Sequence, residues 1–85
     1  MKKLLYLVYL EPNDTENERV VIATTRSVLK ATLERMIHTG IVRYGHVEKV
    51  SEQLRMFRKD FDSVLREGLN ANLEGCRVET KMEGE

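Results

Sequence analysis

The most constraining feature of this 85-residue chain is an apolar stripe between Val47 and Gly68. Apolar side chains recur there at alternating spacings of three and four residues, which places them along one side of an α-helix. Both phenylalanines of the protein belong to this stripe. The pattern predicts a long amphipathic helix whose buried face carries Val47, Val50, Leu54, Phe57, Phe61 and Val64.

The start of this helix has two interpretations. Residues 46–50 alternate in polarity like a short strand, and Ser51 has a side chain suited to capping a helix that begins at Glu52. The three-four spacing, however, runs without a break from Val47 into the helix. We therefore expect the helix to begin at Val47.

Composition indicates one small globular domain, residues 1–82, followed by a disordered tail at 83–85. Hydrophobic residues make up 41% of the chain and charged residues 33%, and 14 basic residues balance 14 acidic ones. This zero net charge counts against a dedicated nucleic-acid binder. The apolar run that opens the chain stops at Glu11, which is too short for a membrane span, so we expect a cytoplasmic protein without a membrane partner.

Three segments have strand patterns. Leu4–Leu10 is almost continuously apolar, which predicts a central strand buried on both faces. Residues 19–25 are rich in β-branched side chains and are expected to return antiparallel to it, after an acidic loop. Cys76–Met82 alternates between apolar and charged residues, as an edge strand does.

A shorter amphipathic helix is predicted between the second strand and Gly40. Its buried side would carry Leu29, Leu33, Met36 and Ile37, and Thr24, Thr25 and Ser27 are three candidate N-caps. Residues 41–45 are interpreted as a tight connection in preference to a brief strand, and residues 69–75 as a loop or one irregular turn. The predicted fold class is α+β, a small antiparallel sheet with two helices on one face in the order ββααβ.

No group of residues predicts catalysis, a metal or a cofactor. His38, His46 and Cys76 are the best metal candidates, but the two imidazoles are explained more simply if His38 is a solvated helix-end residue and His46 starts the next helix. Glycine-rich phosphate loops and nucleophile or zinc motifs are not found in the sequence. We therefore expect a non-enzymatic protein.

Two sets of residues are candidate contacts with a protein partner. The first is the acidic loop after the opening strand, which would meet a basic surface. The second is a group of apolar side chains beside the helical stripe, which widens it beyond what a small sheet needs and predicts a homodimer or larger assembly. The candidates are Glu11, Asp14, Glu16, Glu18, Met56, Leu65 and Leu69.

The alternative function is nucleic-acid binding through the basic side of the long helix. Converging Lys and Arg side chains bind phosphates by releasing counterions. Acidic residues interrupt the basic ones along this helix, which favours a mixed solvated face. The candidate contacts are Arg55, Arg58, Lys59 and Arg66.

The order strand, helix, turn, helix in RVVIATT, SVLKATLERMIHTG and VEKVSEQLRMFRKDF resembles that of ribbon-helix-helix repressors over residues 19–60. The resemblance implies paired strands that enter the DNA major groove. This chain departs from that pattern because an apolar strand precedes the motif, the turn IVRYGHV lacks a serine-rich cap, and the strand side chains are not polar. Val20 and Ile22, or Val21 and Ala23, offer bases no donors or acceptors.

The opening MKKLLYLVYLEPNDTENERVVIATTRSVLKATLERMI is similar in style to short uncharacterised proteins of bacteriophages and prophages of Gram-positive bacteria. It is a strand pair that feeds an amphipathic helix in a chain of under a hundred residues. The resemblance implies an accessory protein that binds, and often inhibits, a host protein. Together with the apolar flank of the long helix, it predicts a small protein-binding module whose partner the sequence does not identify.

Overall fold

The computed structural model describes residues 3–10, 19–68 and 72–84. They form an α+β fold, which confirms the predicted class. A three-stranded antiparallel sheet carries two helices on one face, and a two-stranded ribbon adds two short strands to the predicted order. The elements are β1 (Leu4–Leu10), β2 (Arg19–Ala23), α1 (Arg26–Thr39), β3 (Arg43–Tyr44), α2 (Val50–Glu67), β4 (Leu73–Glu74) and β5 (Cys76–Met82).

The main sheet has the strand order β2-β1-β5, so β1 is central as predicted. Val8 of β1 lies opposite Val21 of β2 and Val78 of β5. The expectation that β1 is buried on both faces was wrong for the single chain. Leu5, Leu7 and Tyr9 are only half-buried, because both helices pack against the other face of the sheet.

One hydrophobic core joins the helices to the sheet. Val8, Ala23 and Val78 provide its sheet side, and they share one face because paired residues point to the same side. The predicted stripes supply its helical side, with Phe57 and Phe61 in edge-to-face contact at 5.4 Å between ring centroids. The buried helical apolar residues are Leu29, Leu33, Met36, Ile37, Phe57, Phe61 and Val64.

A short ribbon closes the core at the start of α2. Tyr44 of β3 pairs with Leu73 of β4, and the Gly45 N–H donates to the Asn72 carbonyl at 2.9 Å. The preference for a plain connection at residues 41–45 was therefore wrong, and part of the expected 69–75 loop is a strand. Tyr44 is fully buried and its ring contacts Phe57, so the ribbon adds an aromatic residue to the core.

The long helix begins later than predicted. Its first helical residue is Val50 and its N-cap is Lys49, whose side chain makes no capping bond. Val47 lies before the helix and Ser51 is inside it, so neither predicted start is right. The backbone before Val50 is irregular. There the Gln53 side chain donates hydrogen bonds to the Val47 and Glu48 carbonyls, which a helix starting at Val47 would use within its own turns.

Of the three N-cap candidates for α1, the structure selects Thr25, whose Oγ1 accepts a hydrogen bond from the Val28 N–H at 3.1 Å. We expect Thr25→Ala to lower the free energy of unfolding by about 1 kcal/mol, since an orphan helical donor loses its acceptor. Urea denaturation measures the difference. Thr24→Ala is the matched control, with an expected loss below about 0.5 kcal/mol. Equal losses for the two variants would contradict the assignment.

Candidate functional site

The sheet face that points away from the helices is the candidate functional site, here called the outer face. Side chains alternate across a strand, so the residues that flank the core-facing Val8 belong to this face. Leu7 lies opposite Ile22 on one neighbour and Glu79 on the other. Tyr9 likewise lies opposite Val20 and Arg77. The outer face consists of Leu5, Leu7, Tyr9, Val20, Ile22, Arg77, Glu79 and Lys81.

The β2 and β1 side of the outer face is apolar and accessible. Ile22 is 58% exposed and Val20 is 46% exposed, and both stand beside half-buried apolar residues of β1. Of the other large apolar residues that are exposed, Val28 and Ile41 lie outside the sheet, and Leu4 lies at the start of β1 on the same side as Val8. Single exposed apolar side chains are ordinary, but a contiguous group of them indicates an interaction surface.

The β5 side of the outer face is charged. Arg77, Glu79 and Lys81 alternate in sign along the strand. The Arg77 guanidinium lies 4.3 Å from the centre of the Tyr9 ring, a cation–π contact that joins the charged margin to the apolar part. An apolar centre with a charged margin is the usual layout of a protein interface.

The apolar residues predicted beside the helical stripe lie elsewhere. Met56 and Leu65 are half-buried and pack against the core. Met56 also packs beside the ribbon. Its Cε lies 3.3 Å from the position that a Cβ on Gly45 would occupy. The remaining predicted contacts, Leu69 and the acidic residues Glu11, Asp14, Glu16 and Glu18, lie outside the described residues.

The basic residues of the nucleic-acid alternative are mostly engaged with neighbouring groups. Arg58 pairs across the helices with Glu34, and Arg55 pairs with Glu52 one turn away on α2. The hydrogen bond from Arg55 lowers the pKa of Glu52. Arg66 lies 3.4 Å from the Ser63 hydroxyl, and Lys59 is exposed. These ion pairs reduce the positive field that phosphates would meet.

A second ion pair lies between the helices. Arg26 of α1 pairs with Asp62 of α2, which stands between Lys59 and Arg66 on the exposed side. Arg26 also lies 5.6 Å from the centre of the Phe61 ring. The charges on the two helices therefore act mainly to join α1 to α2, although exposed pairs of this kind contribute little to stability.

An open groove of about 870 Å³ runs between the end of α2 and strands β1 and β5. Leu65, Tyr6 and Val78 are among its lining residues. A small-molecule site needs a few fixed polar groups to orient its ligand. The polar side chains that line this groove, Arg26, Glu79, Thr80 and Lys81, are exposed and are not held in fixed positions by burial.

Hydrogen bonds from Tyr44 connect the ribbon to α2. The Tyr44 hydroxyl donates to the Asp60 carboxylate at 3.0 Å. Burial raises the pKa of Tyr44, a hydrogen bond with Asn72 opposes this rise, and Asp60 adds to it. The hydroxyl therefore stays protonated at neutral pH and acts as a structural donor.

The histidines and the cysteine do not come together. His38 and His46 are exposed, whereas Cys76 is buried in the core. Across residues 3–10, 19–68 and 72–84, the structure has no cluster of three metal-ligating side chains. Within the same ranges, no helix is both long and apolar enough to cross a membrane.

Sequence reasoning missed the outer face because it treated all apolar strand residues as core. The signal was present in the unbroken run of Leu4–Leu10 and in the consecutive apolar residues of β2, since one buried face needs only alternate positions. With both helices on one side, half of those residues remain uncovered. These apolar residues, which no described element covers, make the outer face the candidate contact surface.

Comparison of this chain with protein families, with curated proteins and with solved structures finds no match. Function must therefore be inferred from the surfaces that the fold itself presents. Among the described surfaces, the outer face departs most from what an isolated small domain exposes.

Proposed function

We propose that this protein is a small non-enzymatic binding module that acts by covering the surface of a protein partner with its outer face. The exposure of Ile22 and Val20, at 58% and 46%, is the observation that carries the proposal. Each Å² of apolar surface removed from water contributes about 25 cal/mol, so covering this face favours association. Accessory or inhibitory proteins act in this way when they occupy a surface that another molecule needs.

The layout of the outer face indicates the chemistry of the partner surface. Its apolar half, on β2 and β1, fits an apolar patch. Its charged margin on β5, with Arg77, Glu79 and Lys81, fits a polar border in which a basic group lies between two acidic groups. Such a margin contributes mainly to orientation and to discrimination between partners.

The test compares two variants that place a carboxylate at equally exposed positions. Ile22→Glu introduces charge on the apolar side of the outer face, and Ile41→Glu does so at a residue 55% exposed outside the sheet. Each tagged protein is used to capture partners from an extract of the cells that produce it, and captured proteins are identified by mass spectrometry. A partner identified in this way is then titrated in purified form.

We expect Ile22→Glu to weaken binding at least tenfold, because the complex would bury an unpaired charge. Ile41→Glu should bind like the wild type. Circular dichroism of both variants establishes that they fold. Equal affinity for the partner in wild type and Ile22→Glu would show that the outer face is not the contact surface.

A further inference from the structure

We infer that a second copy of this chain pairs with the β2 edge, antiparallel and centred on Val21, to form a continuous six-stranded sheet. The inference rests on the proposed function, since pairing at this edge would join the apolar outer faces of two copies into one larger binding surface. The strand order would be β5-β1-β2 followed by β2-β1-β5 of the second copy. It is supported by the state of the β2 edge, by the self-complementarity of its sequence and by the geometry of the resulting face.

The β2 edge is open among the described residues. Its five residues pair with β1 on one side, and no described strand pairs with it on the other. Such an edge presents unpaired backbone donors and acceptors, and monomeric proteins usually protect it with proline, a bulge or an inward-pointing charge. β2 contains no proline, and its central residues Val20, Val21 and Ile22 are all apolar. The centre of the strand therefore carries no proline and no charge that would discourage pairing.

The sequence of β2 is complementary to itself when two copies run antiparallel about Val21. Val20 then lies opposite Ile22 of the second copy, and this pair occurs twice because of the two-fold symmetry. Arg19 lies opposite Ala23, so no two like charges face each other. Apolar β-branched pairs on one face are among the favourable cross-strand combinations.

The same register preserves the layers of the fold. Residues that lie opposite each other share a face, so a two-fold axis through Val21 and perpendicular to the sheet keeps all four helices on one side. The two outer faces then become one, with the Val20 and Ile22 side chains of both copies at its centre. The apolar side chains of β2 and β1 then lie near the axis, and the charges of β5 lie far from it.

The contact is small, since it is built on one five-residue strand from each copy. Interfaces at the low end of the size range are weak or transient. We therefore expect a reversible dimer that dissociates at roughly 10 to 100 μM. Sedimentation velocity of the purified wild type from about 5 to 500 μM measures this equilibrium.

Disulfide trapping tests the register. In the proposed dimer, positions 20 and 22 of different copies face each other at a separation that a disulfide spans. Val20→Cys and Ile22→Cys proteins, mixed in the presence of oxidised glutathione, should cross-link at least fivefold more than either variant alone. In a dimer of a single variant, the introduced cysteines of the two copies do not face each other but are offset along the strands. Each variant alone is therefore the control for the mixture. The wild type, with its buried Cys76, gives the background.

A concentration-dependent dimer together with mixture-specific cross-linking supports the inference. A dimer that cross-links no more in the mixture than in the single variants overturns it, because the copies then meet elsewhere. A protein that stays monomeric to 500 μM also overturns it. If such a monomer still binds another protein and loses that binding in Ile22→Glu, the proposed function stands without the inference. If Ile22→Glu binds like the wild type as well, both fail.

Discussion

Replacement of Gly75 by alanine is expected to lower the free energy of unfolding by about 3 kcal/mol, for two reasons that act together. Gly75 joins β4 to β5 with φ at +97°, a conformation that side chains disfavour by about 1 kcal/mol. A Cβ at this position would also lie 2.8 Å from the Ile41 carbonyl oxygen and 3.6 Å from the Val42 Cα. The first distance is an overlap with backbone, which shifts less easily than a flexible side chain does, whereas the second is an ordinary van der Waals contact.

Gly40→Ala separates the two effects. Gly40 ends α1 with φ at +82°, and a Cβ there would meet nothing within 4 Å. We expect this variant to lose only about 1 kcal/mol, the conformational part of the cost. Urea denaturation of both variants gives the comparison. Losses within about 0.5 kcal/mol of each other would contradict the steric argument, because they would show that the residues after α1 shift away at little cost.

The elements with many periodic residues were the predictable part of the fold. The bounds of β1 and β5 and the core faces of both helices followed from alternation and from three-four spacing, because those side chains must share one buried side. The end of α1 at Gly40 followed from the left-handed conformation that glycine adopts readily. In each case the residues that the local sequence pattern assigns to an element or to its buried side are those that the packed core places there.

The ribbon and the start of α2 were not predictable in this way. Two-residue strands such as β3 and β4 are too short to show a period, and they exist because Tyr44 and Leu73 meet across 29 positions of sequence. The helix start depends on Gln53, a polar residue that periodicity treats as solvent-facing. Tertiary hydrogen bonds decided both features, and a one-dimensional pattern does not contain them.

The sequence placed the expected excess of apolar surface on α2, whereas the candidate site lies on the sheet. Met56 and Leu65 of α2 are half-buried and pack against the core. The excess lies on the sheet because two helices of 14 and 18 residues cover one face and the chain supplies no described layer for the other. Strand alternation assigns each residue to one of two faces, but it does not say which face the helices cover.

Gln53 provides the second large expected effect, because one buried side chain makes three hydrogen bonds at the start of α2. It is 3% exposed. Its Oε1 accepts from the Tyr44 N–H at 3.0 Å, and its Nε2 donates to the Val47 carbonyl at 2.9 Å and the Glu48 carbonyl at 3.4 Å. Since the Lys49 side chain makes no capping bond, Gln53 joins the ribbon to the first turn of the helix.

Gln53→Met keeps the side-chain volume and removes all three hydrogen bonds, and we expect it to lower the free energy of unfolding by about 3 kcal/mol. Most of this loss comes from the buried Tyr44 N–H, since an unsatisfied buried donor costs about 1 to 3 kcal/mol. Gln53→Glu retains the acceptor for the Tyr44 N–H. At low pH its free energy of unfolding should fall less than that of Gln53→Met, because a protonated carboxyl can still donate to a carbonyl. As the pH rises, this carboxyl ionises beside the Val47 carbonyl oxygen and can no longer donate to it. The free energy of unfolding of Gln53→Glu should therefore fall further.

Ser51→Ala is the matched control for these variants, because Ser51 lies in the same helical turn, is exposed and was the alternative cap in the sequence. We expect it to cost less than about 0.5 kcal/mol. Urea denaturation at pH 5 and pH 8 measures all three variants. If Gln53→Met were as stable as Ser51→Ala, Tyr44 and the Val47 carbonyl would have found other partners, and the ribbon would be held by Tyr44 packing against Phe57 instead of by Gln53.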